Sequence, residues 1–125
     1  MITGIGIDMI EVDRVAEKIA MSSGFREKVF SSEEIALCET RGKNKAQHYA
    51  ARFAAKEAFL KATGFGLMLG YELSEIEVTM DESGKPGLLL KGNFEEQARQ
   101  HQWKIIHLSL SHLNEIACAV VVIER

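Results

Sequence analysis

Residues 52–64, Arg-Phe-Ala-Ala-Lys-Glu-Ala-Phe-Leu-Lys-Ala-Thr-Gly, carry four charges on a segment with no continuous polar face. At about 100° per residue, Arg52 and Lys56 share one edge of a helix, and Glu57 and Lys61 share another roughly 140° away. Tyr49, Phe53 and Leu60 fill the arc between them, and most of the remaining circumference is alanine. Charges in or beside packed surface must be paired or bind something. The plain alternative is a surface helix with an i,i+4 Glu-to-Lys pair, worth about 0.2–0.5 kcal/mol.

A second segment, Ile2 to Ile10, alternates like a strand. Thr3, Ile5, Ile7 and Met9 point one way, and Gly4, Gly6 and Asp8 the other. Two glycines on one face indicate that an element or a ligand comes close to the backbone there. Asp8 on that stripped face needs a cation or a donor, unless it caps the following helix. Glu11 and Asp13 suit a capping role better. Asp8 and Glu57 thus supply hard oxygen ligands, while Arg52, Lys56 and Lys61 supply phosphate-binding cations. Two separated acids with several cations describe a Mg²⁺–pyrophosphate site better than a dedicated protein cage. Cys38 and Cys118 stand alone, so no zinc pattern exists, and neither the Walker loop nor the dinucleotide fingerprint is present.

Gly6-Ile7-Asp8 followed by Arg14, and the Arg52–Ala58 run followed by Lys61-Ala62-Thr63-Gly64, resemble the two signatures of the 4′-phosphopantetheinyl transferases. The short chain points to the holo-[acyl-carrier-protein] synthase branch. Phe30 to Glu34, Gly84-Lys85-Pro86 and Leu108 to His112 are further family-like features, and the resemblance runs from about Gly4 to the C-terminus. It implies transfer of 4′-phosphopantetheine from coenzyme A to a serine of apo acyl carrier protein, leaving adenosine 3′,5′-bisphosphate, as a step of fatty acid biosynthesis. Asp8 and Glu57 would hold Mg²⁺, Lys61 would contact the phosphates and the departing group, and Arg52 would grip phosphate oxygens. The base is Glu57 or a water steered by Asp8. Lys43, Gly64 and Gly66 would border the nucleotide, Lys85 and Pro86 the pantetheine arm, and Ser111 and His112 would help hold coenzyme A. The same basic pocket also suits a non-enzymatic coenzyme A-binding module or a pyrophosphate hydrolase.

The elements that must position these residues follow from pattern. One α+β domain over residues 1–125 is expected, in the order β-α-α-α-β-β-α-β-β, with a sheet packed on the long signature helix. Ser31 with Glu34 reads as a capping box. The signature helix is expected from about Lys45 to Thr63 with Gly64 at its end. Asn93 is expected to cap a helix reaching Gln102, and Ile105–His112 pairs with Ile116–Glu124 as a hairpin. Met68, Met80 and Trp103 read as core, and His48 and His101 as surface. A serine-hydrolase reading of His107, Ser109, Ser111 and His112 lacks a nucleophile elbow.

The net charge of −3 suggests neither nucleic acid nor acidic membrane as a partner. No leader or span-length apolar run is visible, and two lone cysteines suit a reducing compartment, so a cytoplasmic location is expected. Arg14, Lys18 and Met21 at helical spacing, with Arg26 beyond, are the expected docking face for an acidic carrier protein. The apolar run from Ile116 to Ile123 implies burial of both strand faces. One of them is therefore left for a partner subunit, and the resemblance points to a homotrimer with intersubunit sites.

Overall fold

Glycine spacing in the first strand governs how the sheet meets the long helix. In the computed structural model, which describes residues 1–125, β1 spans Ile2–Glu11 and α4 spans Lys45–Thr63. A Cβ built on Gly6 would lie 2.7 Å from the Ala62 nitrogen and closer still to the Ala58 carbonyl oxygen. One built on Gly4 would lie 3.0 Å from the Ala62 carbonyl carbon. Glycine on the strand and alanine on the helix therefore let the two backbones touch. The close approach anticipated from the sequence is made by the helix.

The other elements are α1 (Val12–Met21), α2 (Phe25–Val29), α3 (Ser32–Glu39), β2 (Ile76–Met80), β3 (Pro86–Leu90), α5 (Gly92–His101), β4 (Ile105–His112) and β5 (Ile116–Glu124). This is the expected α+β order with one short helix added. Five residues are too few for a readable apolar period, so α2 depends on context. Gly24 turns the chain at φ 84°, and Phe25 packs on Phe30 and Phe53. The capping box at α3 forms as expected: the Glu34 N–H donates to Ser31 Oγ at 3.2 Å and the Ser31 N–H to Glu34 Oε1 at 2.8 Å. The helix α4 keeps its expected bounds and ends on Gly64 at φ 79°. At α5 the cap position is Lys91; Asn93 instead donates to the Gly70 carbonyl at 3.3 Å.

Strands β1, β5 and β4 form an antiparallel sheet in that order, and β2 and β3 form a separate ribbon. The inner face of β5 (Ala117, Ala119, Val121, Ile123) is buried. On the outer face, Ile5 pairs with Val122, Ile7 with Val120 and Met9 with Cys118. Ile5, Ile7 and Met9 are 69%, 58% and 64% exposed, so the large apolar side chains of β1 face outward while its glycines face the core. Met68 and Met80 are also exposed rather than core, and Trp103 is half-buried with its edge on Phe59.

Candidate active site

The charges of α4 separate into three environments. Lys56 is fully buried: its Nζ donates to Glu34 Oε1 at 2.8 Å, to the Leu73 carbonyl at 2.9 Å and to the Ile76 carbonyl at 2.5 Å. Glu34 Oε2 in turn accepts the Val78 N–H at 2.9 Å. Burial pushes the Lys56 ammonium below its ordinary value, with the Glu34 carboxylate opposing. The expectation that Lys56 binds phosphate is therefore corrected. Its edge of the helix faces α3 and β2, where it ties three elements together and has no donor left over.

On a second face, Lys61 Nζ donates to Asp8 Oδ1 at 3.1 Å and to the Ile7 carbonyl at 3.0 Å. Asp8 sits opposite Ala119 on the helix side of the sheet. Glu57 is half-buried, and its carboxyl is pushed above the ordinary range by burial first and by Asp8 second, against Lys61 and Lys18. Glu57, Lys61, Gly64 and Gly66 line one cleft of about 300 Å³. Two acids that repel each other, with a lysine alongside, fit Mg²⁺, which takes one or two carboxylates and fills its shell with water and phosphate oxygens. No cluster of three or more His, Cys, Asp or Glu exists that would make a complete protein cage.

Arg52 lies in the third environment, 1% exposed. Its Nη1 donates to the His48 carbonyl at 3.2 Å, and its Nε is buried with no partner. It lines a second cavity of about 210 Å³ with His48, Gly84, Pro86, Leu110 and His112. This cavity and the Glu57–Lys61 cleft share no residue. Within one protomer, then, Asp8, Glu57, Lys61, Gly64 and Gly66 come together, and Arg52, Pro86 and His112 come together elsewhere. Their separation follows from the roughly 140° between Arg52 and Glu57 around the helix. Ser111 and His112 point to opposite faces of the sheet, and only His112 reaches the cavity. Lys43 and Lys85 are exposed.

His48, expected on the surface, faces this cavity with its ring centroid 5.8 Å from that of His112. Its position one turn before Arg52 was the available signal. On α1, Arg14, Lys18 and Met21 are exposed, and Lys18 Nζ lies 5.6 Å from the Phe53 ring centroid. Arg26 pairs with Glu27 at 3.2 Å and Glu39 at 3.4 Å. Both thiols are free, and Cys38 is pushed up to about 11 by burial. No helix is long and apolar enough to cross a membrane.

The family model for the 4′-phosphopantetheinyl transferase superfamily matches residues 4–121. The chain belongs to that superfamily. Within it, the chain is similar to the holo-[acyl-carrier-protein] synthase of Cytophaga hutchinsonii, at 43% identity over 100% of this chain and 99% of the relative. The crystal structure of the Neisseria meningitidis holo-[acyl-carrier-protein] synthase superposes with a TM-score of 0.90 at 29% identity, covering both chains fully. The Bacillus anthracis synthase, solved in complex with CoA (3′,5′-ADP), gives a TM-score of 0.82 at 37% identity over 99% of this chain and 97% of that one. The chain is thus a phosphopantetheinyl transferase of the holo-[acyl-carrier-protein] synthase type, and its fold is the one those structures share.

Proposed function

We propose that this transferase, a single domain over residues 1–125, moves 4′-phosphopantetheine from coenzyme A to a serine of apo acyl carrier protein in a Mg²⁺-dependent reaction. The observation that carries this reading is that Glu57 and Lys61 line one cleft while Asp8 accepts from Lys61 at 3.1 Å and acts electrostatically on Glu57. The serine oxygen attacks the phosphorus on the pantetheine side of the diphosphate. The P–O bond to the other phosphate breaks, and adenosine 3′,5′-bisphosphate leaves.

Mg²⁺, when held by Asp8 and Glu57, supplies charge neutralisation at the diphosphate. Lys61, poised on Asp8, donates to the departing oxygen. Glu57, or a water steered by Asp8, takes the serine proton. Arg52 and His112, in the other cavity, suit the remaining phosphate of coenzyme A, and Lys43, Gly64, Gly66, Lys85, Pro86 and Ser111 border the rest of the molecule.

Within one protomer the two clusters line separate cavities that share no residue, which leaves each an incomplete coenzyme A site. The exposed apolar outer face of the sheet supports the remedy: a homotrimer in which one subunit's Asp8 and Glu57 face the next subunit's Arg52 and His112. The basic, Met21-tipped face of α1, adjoining Glu57 through Lys18, suits docking of an acidic carrier. This activity belongs to fatty acid biosynthesis in the cytoplasm, with no nucleic acid or membrane as partner.

Incubation with apo carrier protein, coenzyme A and Mg²⁺, read by intact mass, tests the reading. A phosphopantetheine increment on the carrier is expected. An unchanged carrier refutes it, and coenzyme A cleavage without a carrier would mark a hydrolase. Mixing Asp8→Ala and His112→Ala chains should restore part of the activity if sites span two subunits.

A further inference from the structure

The cavity around Arg52 holds more cationic chemistry than its family-like residues account for. Arg52 is nearly fully buried, yet its Nε has no partner, and a guanidinium so placed is costly without an anion. His112 enters from the end of β4 and His48 from α4, one turn before Arg52, with the two rings 5.8 Å apart. The charged groups that act on His48 are Arg52 on its own helix, Arg41 just before α4 and His112 on β4; no carboxylate is among them. The β2–β3 hairpin contributes Met80, Gly84 and Pro86, none of which titrates.

We propose that His48 is a proton-linked phosphate contact: it binds the phosphate seated on Arg52 and His112 as imidazolium, so that ligand binding takes up a proton. This rests on the assignment of that cavity to a phosphate of coenzyme A. In the free protein His48 is held below its ordinary value of 6.5, by burial first and then by Arg41, Arg52 and His112. It is therefore neutral at pH 7.5. An entering phosphate reverses the balance, because a dianion beside the ring favours the charged form and offsets the neighbouring Arg41 and Arg52. Protonation then becomes part of recognition. It adds His48 as a third donor beside Arg52 and His112 once the anion is seated. The proton is taken up between the depressed free value and the raised bound value, so affinity falls as pH rises through that window. One linked proton limits the effect to about a tenfold change in Kd per pH unit.

The test is calorimetry of coenzyme A binding to the full-length protein at pH 7.5, in two buffers of different ionisation enthalpy. Wild type, His48→Gln and His112→Gln are compared, with the His48 ring resonance followed by NMR. Expected are proton uptake by wild type, reduced uptake by His48→Gln, and a rise in the His48 titration midpoint on binding. Dephospho-coenzyme A, which lacks the 3′-phosphate, should bind without that rise. Equal uptake by wild type and His48→Gln, or uptake lost only in His112→Gln, overturns the inference while leaving the transferase reading intact. An unmoved His48 resonance also overturns it, even if the Gln variant is unstable. Failure of wild type to bind coenzyme A overturns the transferase reading and this inference with it.

Discussion

Substituting Gly6 by alanine should damage catalysis more than folding. The added Cβ would stand 2.7 Å from the Ala62 nitrogen, where ordinary contact begins near 3.4 Å, so α4 must retreat by at least about 0.7 Å, and further along the Ala58 carbonyl. Backbone lines the contact on both sides, and neither can rotate away. Overpacking of this kind costs about 1–3 kcal/mol, which for a chain this size lowers Tm by roughly 4–12 °C. The same retreat parts Asp8, two residues along the strand, from Glu57 and Lys61 on the helix. The Lys61–Asp8 pair at 3.1 Å would open beyond hydrogen-bond range. A misplacement of about 1 Å at reacting groups costs on the order of 100-fold in rate. Turnover on apo carrier protein, read by intact mass, should therefore fall by about that factor in protein still folded by circular dichroism. Wild-type Tm together with wild-type turnover would refute the claim that backbone contact between β1 and α4 sets the site.

Further outcomes test the other assignments. The raised carboxyl of Glu57 means its ionised form destabilises the fold, a penalty present above the raised value and relieved as pH falls through it. Mg²⁺ should accordingly raise the Tm of wild type at pH 7.5 but not that of Glu57→Gln, which should also lose transfer; equal shifts would remove Glu57 from the metal site. Lys56→Ala leaves Glu34 buried and unpaired and should cost about 3–5 kcal/mol in urea unfolding, and a loss below about 1 kcal/mol would show the pair to be dispensable. Ile7→Asp, on the exposed outer face of the sheet, should give monomers by light scattering with transfer abolished; an active monomer would sink the shared-site model. Arg14→Glu should raise KM for the carrier protein far more than for coenzyme A, and equal changes would disqualify α1 as the docking face.

The bounds of α4, the capping box at α3 and the β4–β5 hairpin were legible in the chain because each depends on neighbours within a few residues: a left-handed glycine, a Ser-x-x-Glu pair, two alternating apolar runs around a turn. The short α2 was not, since its Phe25 packs on Phe53, a residue of α4 that the fold brings there. Asn93 met the local rule for a cap but found the Gly70 carbonyl instead, a partner 23 residues away.

The chemistry divides along the same line. Residue type and helical angle alone determined that Glu57 and Lys61 share a face, that Arg52 lies off that face, and that Gly4 and Gly6 admit a close backbone. Those are consequences of period and side-chain size. Which charge is buried, and against what, was decided by packing. Arg52 and Lys56 sit one turn apart on the same edge, yet Lys56 meets Glu34 and the carbonyls of Leu73 and Ile76, while Arg52 meets a cavity and keeps a free donor. Burial and pairing are properties of what other segments bring to that edge, and sequence spacing carries no record of it.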